Sequence, residues 1–256
     1  MYLPITIAYK LGFLISPFFM IGRKKVSGHT YRINEQILLS LREKSIDPLI
    51  VWEIFNRKSY SRPGYELNEN DTAVDIGAHI GVFTLYAAAN VPKGKVFAYE
   101  PIYGNFSLLK KNVKQNRLTN VKIFNKAVTS NGRKIKIYVS PSNSGGHSIY
   151  PVDHNKIAEV ESVTLENLMK QNRISKINFL KLDVEGAEFD IILKTPKNVF
   201  KKIDKIVMEY HDFTAKENNH KEIVSFLAEC GFKTTVSGTF LESKIFRAGM
   251  ILAKRN

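Results

Sequence analysis

AVDIGAHIG, residues 73–81, is the stretch of the chain from which the fold class follows. Its first half is a short apolar run typical of a buried strand, and the glycines at positions 77 and 81 indicate a tight turn before a helical pattern begins. The alternation then repeats, with a second strand at KVFAYE (95–100) and a second helix over residues 103–116. Apolar strands separated by helices of this length predict parallel strands joined by right-handed crossovers. The sequence therefore predicts an α/β fold.

The same alternation extends to the end of the chain. The last two strand-like runs are separated by a loop rather than a helix, which indicates an antiparallel strand at the sheet edge. Upstream, the pattern predicts a lead-in that is helical around residues 37–41. We therefore divide the chain into an N-terminal extension, residues 1–70, and one main domain, residues 71–256. Further strands are predicted at residues 121–128, 134–139, 161–164, 177–183, 205–209, 233–236 and 248–253, and further helices at 165–172, 188–194 and 217–230.

Size and composition exclude several classes of protein. A chain of 256 residues with 44% hydrophobic residues suits one large globular domain, so we exclude a disordered, collagen-like or repeat protein. The lone cysteine, Cys230, excludes an intramolecular disulfide and a thiolate metal site. It is typical of a buried apolar position and of a reducing compartment, so we expect a cytoplasmic protein.

Positive charge dominates the chain. Its 38 Lys and Arg residues exceed its 24 Asp and Glu residues, which gives a formal net charge of +14. The excess is concentrated between Glu100 and Asp153, a stretch without an acidic residue. An anionic substrate, an anionic membrane surface or RNA would each suit this charge, and a solvated surface without a partner is the alternative. The basic residues of the stretch are Lys110, Lys111, Lys114, Arg117, Lys122, Lys126, Arg133, Lys134 and Lys136.

The first 21 residues are apolar enough to raise the question of a membrane. Pro4, Lys10 and Pro17 interrupt any clean apolar span of about 20 residues, so we expect no transmembrane helix. The segment also lacks the basic start and the small-residue cleavage site of a secretory signal. Two alternatives remain: an interfacial segment that binds an anionic membrane surface together with the basic triplet at residues 23–25, or a helix packed on the main domain.

Two carboxylates at the ends of neighbouring strands predict the ligand. Asp75 lies just before the glycine turn, and a carboxylate there repels phosphate and suits a cationic amino-acid group. Glu100 ends the next strand, where it can accept hydrogen bonds from the hydroxyls of a ribose. His79, inside the turn, is expected to fill space beside the ligand. The spacing of the glycines differs from the G-x-G-x-x-G of dinucleotide folds. The two acids together therefore indicate a nucleoside joined to an amino acid, which describes S-adenosylmethionine. Taken singly, each acid is also typical of a helix cap or a turn.

Five segments of the chain resemble the FkbM-type methyltransferases, a branch of the class I S-adenosylmethionine-dependent enzymes. They are VDIGAHIGVFTLYAA, FAYEPIYGNFSLLKKNV, NKAVTSNG, FLKLDVEGAEFDII and IVMEYH, spread over residues 72–211. The resemblance implies a Rossmann-like, doubly wound sheet of seven mostly parallel strands with an antiparallel last strand. It also implies S-adenosylmethionine as the donor and methyl transfer to a hydroxyl oxygen of a sugar, glycolipid or polyketide-like product. By the same resemblance, the methionine portion of the cofactor would contact Asp75, Gly77, Ala78 and Gly81. The ribose would contact Glu100, and the adenine would contact Lys126 and Ala127. Many class I enzymes have an acid at the position of Lys126, so this chain departs from them there.

A base that removes the proton of the acceptor hydroxyl is the remaining requirement. We expect Asp183 or His211 to be this base and Glu185 to orient the hydroxyl, because they follow strands that end at the same sheet edge. His211 is equally typical of a structural histidine, and Glu188 either contacts substrate or caps the helix that follows. The chain has no characteristic metal-motif spacing and we predict no metal, although Asp183, Glu185, Glu209 and His211 form an alternative oxygen-rich set.

These features together predict an enzyme. We expect an S-adenosylmethionine-dependent O-methyltransferase that acts on a sugar, a glycan, a lipid-linked glycan or a related small molecule, in the cytoplasm or at the inner face of the membrane. An RNA methyltransferase is the alternative, less favoured because the sequence has no aromatic-interleaved single-strand motif or appended RNA-binding module. A non-catalytic nucleoside-binding protein of the same fold is a third hypothesis. The polar loop SPSNSGGHS (140–148) suits a lip over the site or a simple surface loop.

Overall fold

The computed structural model describes residues 23–43, 45–139, 156–212, 220–237 and 248–255. Three predictions fall outside these residues, in whole or in part. They concern the apolar segment 1–21, the loop 140–148 and the start of the helix predicted from residue 217. Within the described ranges, every helix is too short or too polar to cross a membrane.

The elements alternate along the chain as the sequence predicts. The strands are β1 (Lys24–Ser27), β2 (Thr30–Arg32), β3 (Leu38–Ser40), β4 (Thr72–Ile76), β5 (Lys95–Tyr99), β6 (Val121–Phe124), β7 (Ala127–Val128), β8 (Ile135–Val139), β9 (Lys156–Val160), β10 (Ser162–Val163), β11 (Ile177–Leu182), β12 (Ile203–His211), β13 (Phe232–Ser237) and β14 (Ala248–Arg255). The helices are α1 (Asp47–Phe55), α2 (Val82–Asn90), α3 (Tyr103–Gln115), α4 (Leu165–Gln171), α5 (Glu188–Lys194), α6 (Lys197–Phe200) and α7 (His220–Glu229).

A seven-stranded sheet forms the centre of the molecule, in the order β13-β14-β12-β11-β4-β5-β6. Strands β4, β5, β6, β11 and β12 run parallel, and β14 runs antiparallel to both of its neighbours. The predicted mostly parallel α/β sheet with a reversed last strand is thereby confirmed. The reversed strand lies one position inside the edge, because β13 takes the edge by pairing with β14 alone.

Both faces of this sheet are buried. Successive residues of a strand point to opposite faces, so Ala73 and Phe179 join a hydrophobic cluster with α1 and α2, while Val74 and Leu180 join one with α4, α5 and α7. After β4 the chain adds β5 and β6 on one side, and after β11 it adds β12 on the other side. The strand order therefore reverses between β4 and β11. In open parallel sheets, ligands bind at the carboxyl ends of the strands at this switch point.

The N-terminal extension differs from the prediction. The helix expected around residues 37–41 is wrong, because β3 occupies this position and pairs with β2 in a small antiparallel sheet of order β1-β2-β3. On its other side, β3 binds side-chain amides of α3 and of the residue that follows it. The Asn112 Oδ1 accepts from the Ser40 amide at 2.8 Å, and the Asn116 Oδ1 accepts from the Leu38 amide at 2.8 Å. These side chains bind β3 where a neighbouring strand would otherwise pair. The helix of the extension is instead α1.

The extension also packs on the main sheet. Leu39, Val51 and Ile54 share a buried cluster with Phe83 of α2 and Phe179 of β11. The boundary near residue 70 between an extension and a main domain stays a prediction.

The strand predicted over residues 121–128 is interrupted. β6 ends at Phe124, and β7 resumes at Ala127 in a separate parallel pair with β10. The side-chain amide of Asn125 makes this break by donating to the carbonyls of Glu100 at 2.9 Å and Pro101 at 2.8 Å. The break places the residues that follow it beside Glu100.

Candidate active site

A crevice of about 250 Å³ opens at the carboxyl edge of the sheet. We call its two sides the turn half, made by residues 76–79, 99–102 and 126–128, and the acidic half, made by residues 181–187 and 209–211 with the facing side of α1. Two predicted residues, Asp75 and Gly81, are buried beneath its surface. The other nine predicted residues line it: Gly77, Ala78, His79, Glu100, Lys126, Ala127, Asp183, Glu185 and His211.

The two glycines of the turn are required by packing as well as by backbone conformation. Gly77 has a φ of +78° and Gly81 a φ of +91°, which strains residues with a side chain. A Cβ atom on Gly77 would lie 1.7 Å from the Asp183 carbonyl oxygen, and one on Gly81 would lie 2.5 Å from the Leu109 Cδ1. The close approach of the end of β11 and of α3 therefore explains both glycines.

The backbone amides of the turn are already bonded within the protein. The amides of Gly77 and Ala78 both donate to the Tyr99 carbonyl at 3.0 Å, and the Gly81 amide donates to the Ala78 carbonyl. A diphosphate needs such amides unpaired at a helix N-terminus. The turn therefore does not suit a dinucleotide.

Glu100 is 4% exposed and is held by three donors. Its Oε2 accepts from the His79 amide at 2.8 Å, and its Oε1 accepts from the Ile102 amide at 2.9 Å and from the Asn105 side chain at 3.3 Å. Burial raises the pKa of Glu100 to about 7, although these donors act to lower it. A carboxylate offers about four acceptor positions, so Glu100 retains room for a hydroxyl donor.

Asp75, the other predicted ligand-binding acid, faces inward. Its Oδ2 accepts from the Thr84 hydroxyl at 2.6 Å, while its Oδ1 accepts no well-aligned hydrogen bond and lies 3.2 Å from the Lys181 Nζ. Lys181 also donates to the Gly77 carbonyl at 2.7 Å. Burial acts to lower the pKa of Lys181, but the charges of Asp75 and Asp183 outweigh it and raise that pKa. This arrangement differs from the expected direct contact, since Asp75 reaches the crevice through Lys181.

A second buried network connects the turn half to α1. Arg42 donates to both carboxylate oxygens of Asp47, the first residue of α1, at 2.7 and 3.0 Å. It also donates to the Asn105 Oδ1 at 2.6 Å and to the His79 Nε2 at 2.5 Å. Although burial acts to raise it, the hydrogen bonds from Arg42 lower the pKa of Asp47. Because Asn105 binds Glu100, the network fixes the start of α1 relative to the turn.

Two predicted residues, Lys126 and Ala127, extend the turn half with a mostly apolar slot. Both follow the break after β6, and Val128, Ile135 and Ile137 continue the same wall. Mostly apolar pockets with a few placed polar groups are typical of small-molecule and cofactor sites.

Asp183 lies in the acidic half, directly after β11. Its Oδ2 accepts from the Tyr60 hydroxyl at 3.1 Å and lies 3.7 Å from the Lys181 Nζ. The Tyr60 ring covers this ammonium, with 5.5 Å from Nζ to the ring centroid. Burial and the charge of Asp183 raise the pKa of Tyr60 well above its usual value, so its hydroxyl remains a donor. The Asp183 side chain is 28% exposed and is accessible from the crevice.

His211, at the end of β12, is surrounded by carboxylates. Its Nδ1 lies 3.1 Å from the Glu188 Oε1, and its Nε2 lies 3.6 Å from the Glu185 Oε2 and 3.8 Å from the Glu209 Oε1. Burial acts to lower the pKa of His211, but these three carboxylates raise it well above the usual value. An imidazolium has both nitrogens protonated, so it has no lone pair with which to remove a proton.

Glu188 is the first residue of α5 and is fully buried. Its oxygens accept from the Val184 amide at 3.1 Å and the Gly186 amide at 2.9 Å, in addition to the contact with His211. Among the described residues, Asp183, Glu188 and His211 have ligand atoms within 4.8 Å of one another, a spacing compatible with a metal ion. Because the Glu188 oxygens already hold the turn and the ring, we assign this cluster to hydrogen bonding.

A model of the methyltransferase FkbM domain matches residues 75–234, more than half of the chain. The match includes the turn after β4, Glu100, and the ends of β11 and β12. The chain belongs to the FkbM methyltransferase family. It is therefore an S-adenosylmethionine-dependent methyltransferase, and the buried Glu100, the apolar slot and the paired amides of the turn fit this cofactor.

Individual relatives agree with the family. Methyltransferase 1 of Beauveria bassiana is 25% identical in an alignment that covers 80% of this chain and 88% of that protein. The 31-O-demethyl-FK506 methyltransferase FkbM of Streptomyces tacrolimicus is 26% identical over 70% and 79% of the two chains. The hexuronic acid methyltransferase AglP of Haloferax volcanii is 24% identical over 67% of each. The crystal structure of methyltransferase FkbM from Methylobacillus flagellatus shares the fold, with a TM-score of 0.51 at 16% identity over 80% of this chain and 47% of that one.

Several residues of the site were not identified from the FkbM-family pattern. Arg42, Asp47, Glu53 and Tyr60 all precede the matched region, and no local motif marks them. Asn105 has a usable signal, because it lies in the first turn of the helix that follows Glu100. The residues of the extension are brought to the crevice by packing on α2.

Proposed function

We propose that this enzyme transfers a methyl group to a hydroxyl oxygen of a sugar unit in a glycan, a glycolipid, a lipid-linked glycan or a related small molecule. The observation that carries the proposal is the place of Asp183, a partly exposed carboxylate on the crevice wall held by Tyr60 and Lys181. The name of the Streptomyces tacrolimicus relative specifies an O-methyl group, and that of the Haloferax volcanii relative specifies a sugar acid. The first name supports an oxygen acceptor, and the second supports a sugar-derived acceptor.

The turn half would hold the cofactor. S-adenosylmethionine, when bound, supplies an electrophilic methyl group. Glu100 would accept a hydrogen bond from a ribose hydroxyl, Lys126 and Ala127 would contact the adenine, and the backbone of residues 77–79 would contact the methionine portion. Each of these groups lines the crevice.

The acidic half would hold and deprotonate the acceptor. Asp183 takes the proton of the acceptor hydroxyl as the oxygen becomes nucleophilic, which is general base catalysis. His211 is not this base, because its carboxylate neighbours keep it protonated. It holds Glu185, which accepts a hydrogen bond from the acceptor and orients it.

Cofactor binding tests the first half of this proposal. Glu100→Ala removes the buried acceptor and is expected to weaken binding of S-adenosylhomocysteine by about tenfold to a hundredfold, since hydrogen bonds to charged groups contribute about 1.5–3 kcal/mol. Calorimetric titration gives the affinity. Glu222→Ala, an exposed acid on α7, is the matched control and should bind as the parent does. Equal affinities of the parent and Glu100→Ala would refute the ribose assignment.

Mass spectrometry of glycan and lipid extracts tests the acceptor. A strain that lacks the gene should contain a glycan or glycolipid lighter by one CH₂ group than the parent strain's, and the purified enzyme should restore that group. An unchanged glycan and lipid profile, with a methyl group missing from RNA instead, would favour the RNA alternative.

We also propose that the enzyme works at the cytoplasmic face of the membrane. Lys24 and Lys25 are exposed on β1, and Lys110, Lys111 and Lys114 are exposed on α3, which contacts the same small sheet through β3. Basic clusters of this kind bind anionic lipid headgroups. Sedimentation with phosphatidylglycerol vesicles should show binding that high salt abolishes. Equal binding to neutral phosphatidylcholine vesicles would contradict the electrostatic part of this proposal.

A further inference from the structure

The guanidinium of Arg42 is fixed in direction by Asp47. Its Nε and Nη2 donate to the Asp47 carboxylate at 3.0 and 2.7 Å, and the backbone amide of Arg42 donates to the same carboxylate at 2.9 Å. Asp47 is fully buried at the start of α1. A bidentate pair of this kind holds the planar guanidinium in one orientation. The remaining N–H groups of Arg42 therefore point in set directions.

Asn105 accepts from one of these remaining groups. The Arg42 Nη1 donates to the Asn105 Oδ1 at 2.6 Å, and the Asn105 Nδ2 donates to the Glu100 Oε1 at 3.3 Å. A guanidinium has donors only, so it binds the oxygen of the side-chain amide and not the NH₂ group. Arg42 therefore directs the NH₂ group of Asn105 toward Glu100.

The His79 ring accepts from another. The Arg42 Nη2 donates to the His79 Nε2 at 2.5 Å. The backbone of His79 has a φ of +53°, a left-handed conformation that strains a residue with a side chain. In this conformation the His79 amide donates to the Glu100 Oε2 at 2.8 Å. Such strain persists only where the surroundings hold the residue, and the bond from Arg42 contributes to that hold.

We propose that Arg42 is a positioning residue for the cofactor, because it holds two of the three donors of the Glu100 carboxylate. It acts through the Asn105 side chain and the His79 ring. Arg42 lies behind the crevice wall, so the groups that would touch the cofactor remain those of the turn half. It also precedes residues 75–234, which match the family model, so this support comes from the extension. The inference rests on the proposed contact of Glu100 with the ribose.

Binding of S-adenosylhomocysteine to Arg42→Lys tests this role without an acceptor. The lysine keeps a positive charge beside Asp47, but its single nitrogen cannot reproduce the directions of the guanidinium donors. Calorimetric titration should show an affinity about threefold to tenfold below that of the parent. Arg32→Lys, on an exposed arginine of β2, is the matched control and should bind as the parent does. Parental affinity of Arg42→Lys would overturn the inference.

The pH profile of that binding distinguishes positioning from a general loss of stability. Burial raises the pKa of Glu100 to about 7, and loss of a donor would raise it further, because donors stabilise the charged form of a carboxylate. The pH below which the affinity weakens should therefore move upward in Arg42→Lys. Lys181 of β11 also lowers the pKa of Glu100 and is unchanged in this variant. A weaker affinity with the parental pH profile would contradict the positioning role.

Asn105→Ala tests the same route and leaves the pair of Arg42 and Asp47 in place, so it decides the question if Arg42→Lys does not fold. It should weaken binding by a similar factor. Because Arg42 acts partly through Asn105, the losses of the two variants should not add fully when they are combined. Parental affinity of Asn105→Ala, or full additivity in the double variant, would overturn the inference.

Glu100→Ala, measured in parallel, separates a failure of this inference from a failure of the ribose assignment. If Glu100→Ala loses affinity and Arg42→Lys does not, the positioning role alone is wrong. If Glu100→Ala binds as the parent does, the ribose assignment is wrong, and the positioning role fails with it.

Discussion

The turn half and the acidic half of the crevice are built from different kinds of contact. In the turn half, the hydrogen bonds to Glu100 join residues of the same β-α-β unit, as in the bond that the His79 amide donates to Glu100. In the acidic half, side chains meet across long stretches of sequence, and the bond from Tyr60 to Asp183 spans 123 residues. Cofactor recognition is therefore encoded locally, whereas the surroundings of the acceptor depend on how the extension packs.

The largest effect that separates the halves is expected from Asp183→Asn. The amide cannot take a proton, so turnover should fall by about a hundredfold to ten-thousandfold, while the turn half still binds S-adenosylhomocysteine with parental affinity. The measurement is transfer of labelled methyl from S-adenosylmethionine to extracts of a strain that lacks the gene, together with calorimetry. Full activity would exclude Asp183 as the base, and a parallel loss of cofactor binding would show that the halves are not separable.

Lys181 joins the two halves, because it contacts Asp75, the Gly77 carbonyl and Asp183. Lys181→Met leaves the carboxylate of Asp75 buried without its cation, and removing one partner of a buried pair costs about 3–5 kcal/mol in the free energy of unfolding. Urea denaturation measures this loss. The matched control is Lys93→Met, which breaks an exposed pair with Glu69 and should cost less than about 1 kcal/mol. Similar losses in both variants would contradict the buried pair.

The turn half should respond to pH through Glu100. Burial raises the pKa of Glu100 in the free protein to about 7, so the carboxyl gains a proton as the pH falls through that value and becomes a weaker, uncharged acceptor for a hydroxyl. Affinity for S-adenosylhomocysteine should then be constant above about pH 7 and weaken below it, by up to about tenfold per pH unit. Calorimetry from pH 8 to about pH 5.5 measures the profile. Glu100→Gln should remove this slope, and a slope that persists in the variant would assign it to another group.

The smallest effect is expected from Tyr60→Phe, which tests the contribution of the extension to the acidic half. The variant keeps the ring over Lys181 and removes only the hydroxyl that donates to Asp183. The lost hydrogen bond contributes about 1 kcal/mol to the orientation of Asp183, so its removal should lower kcat by several-fold and leave cofactor affinity unchanged. Tyr103→Phe, on a side chain that is 73% exposed, is the matched control. If the two variants have the same kcat, Tyr60 does not position Asp183.

The predictable part of the molecule is the part in which neighbours in sequence are neighbours in space. The alternation of apolar strands and helices predicted the sheet, and the positions of Glu100 and Asp183 at strand ends placed both at the crevice. The inward orientation of Asp75 was not predictable, because its partner Lys181 lies on a different strand. Residue periodicity also missed β3, which pairs with β2 on one side and binds the side-chain amides of Asn112 and Asn116 on the other.

The side-chain amides that bind β3 limit how this enzyme can evolve. Asn112 donates to the Ser40 carbonyl at 3.2 Å and to the Ile80 carbonyl at 2.8 Å, so one buried side chain joins the first small sheet to the turn of the crevice. A shortened chain without residues 1–70 would leave this amide partly unbonded and expose the apolar residues under α1. New acceptor preferences therefore cannot arise by exchanging the extension alone, because any replacement must also complete the core beneath it.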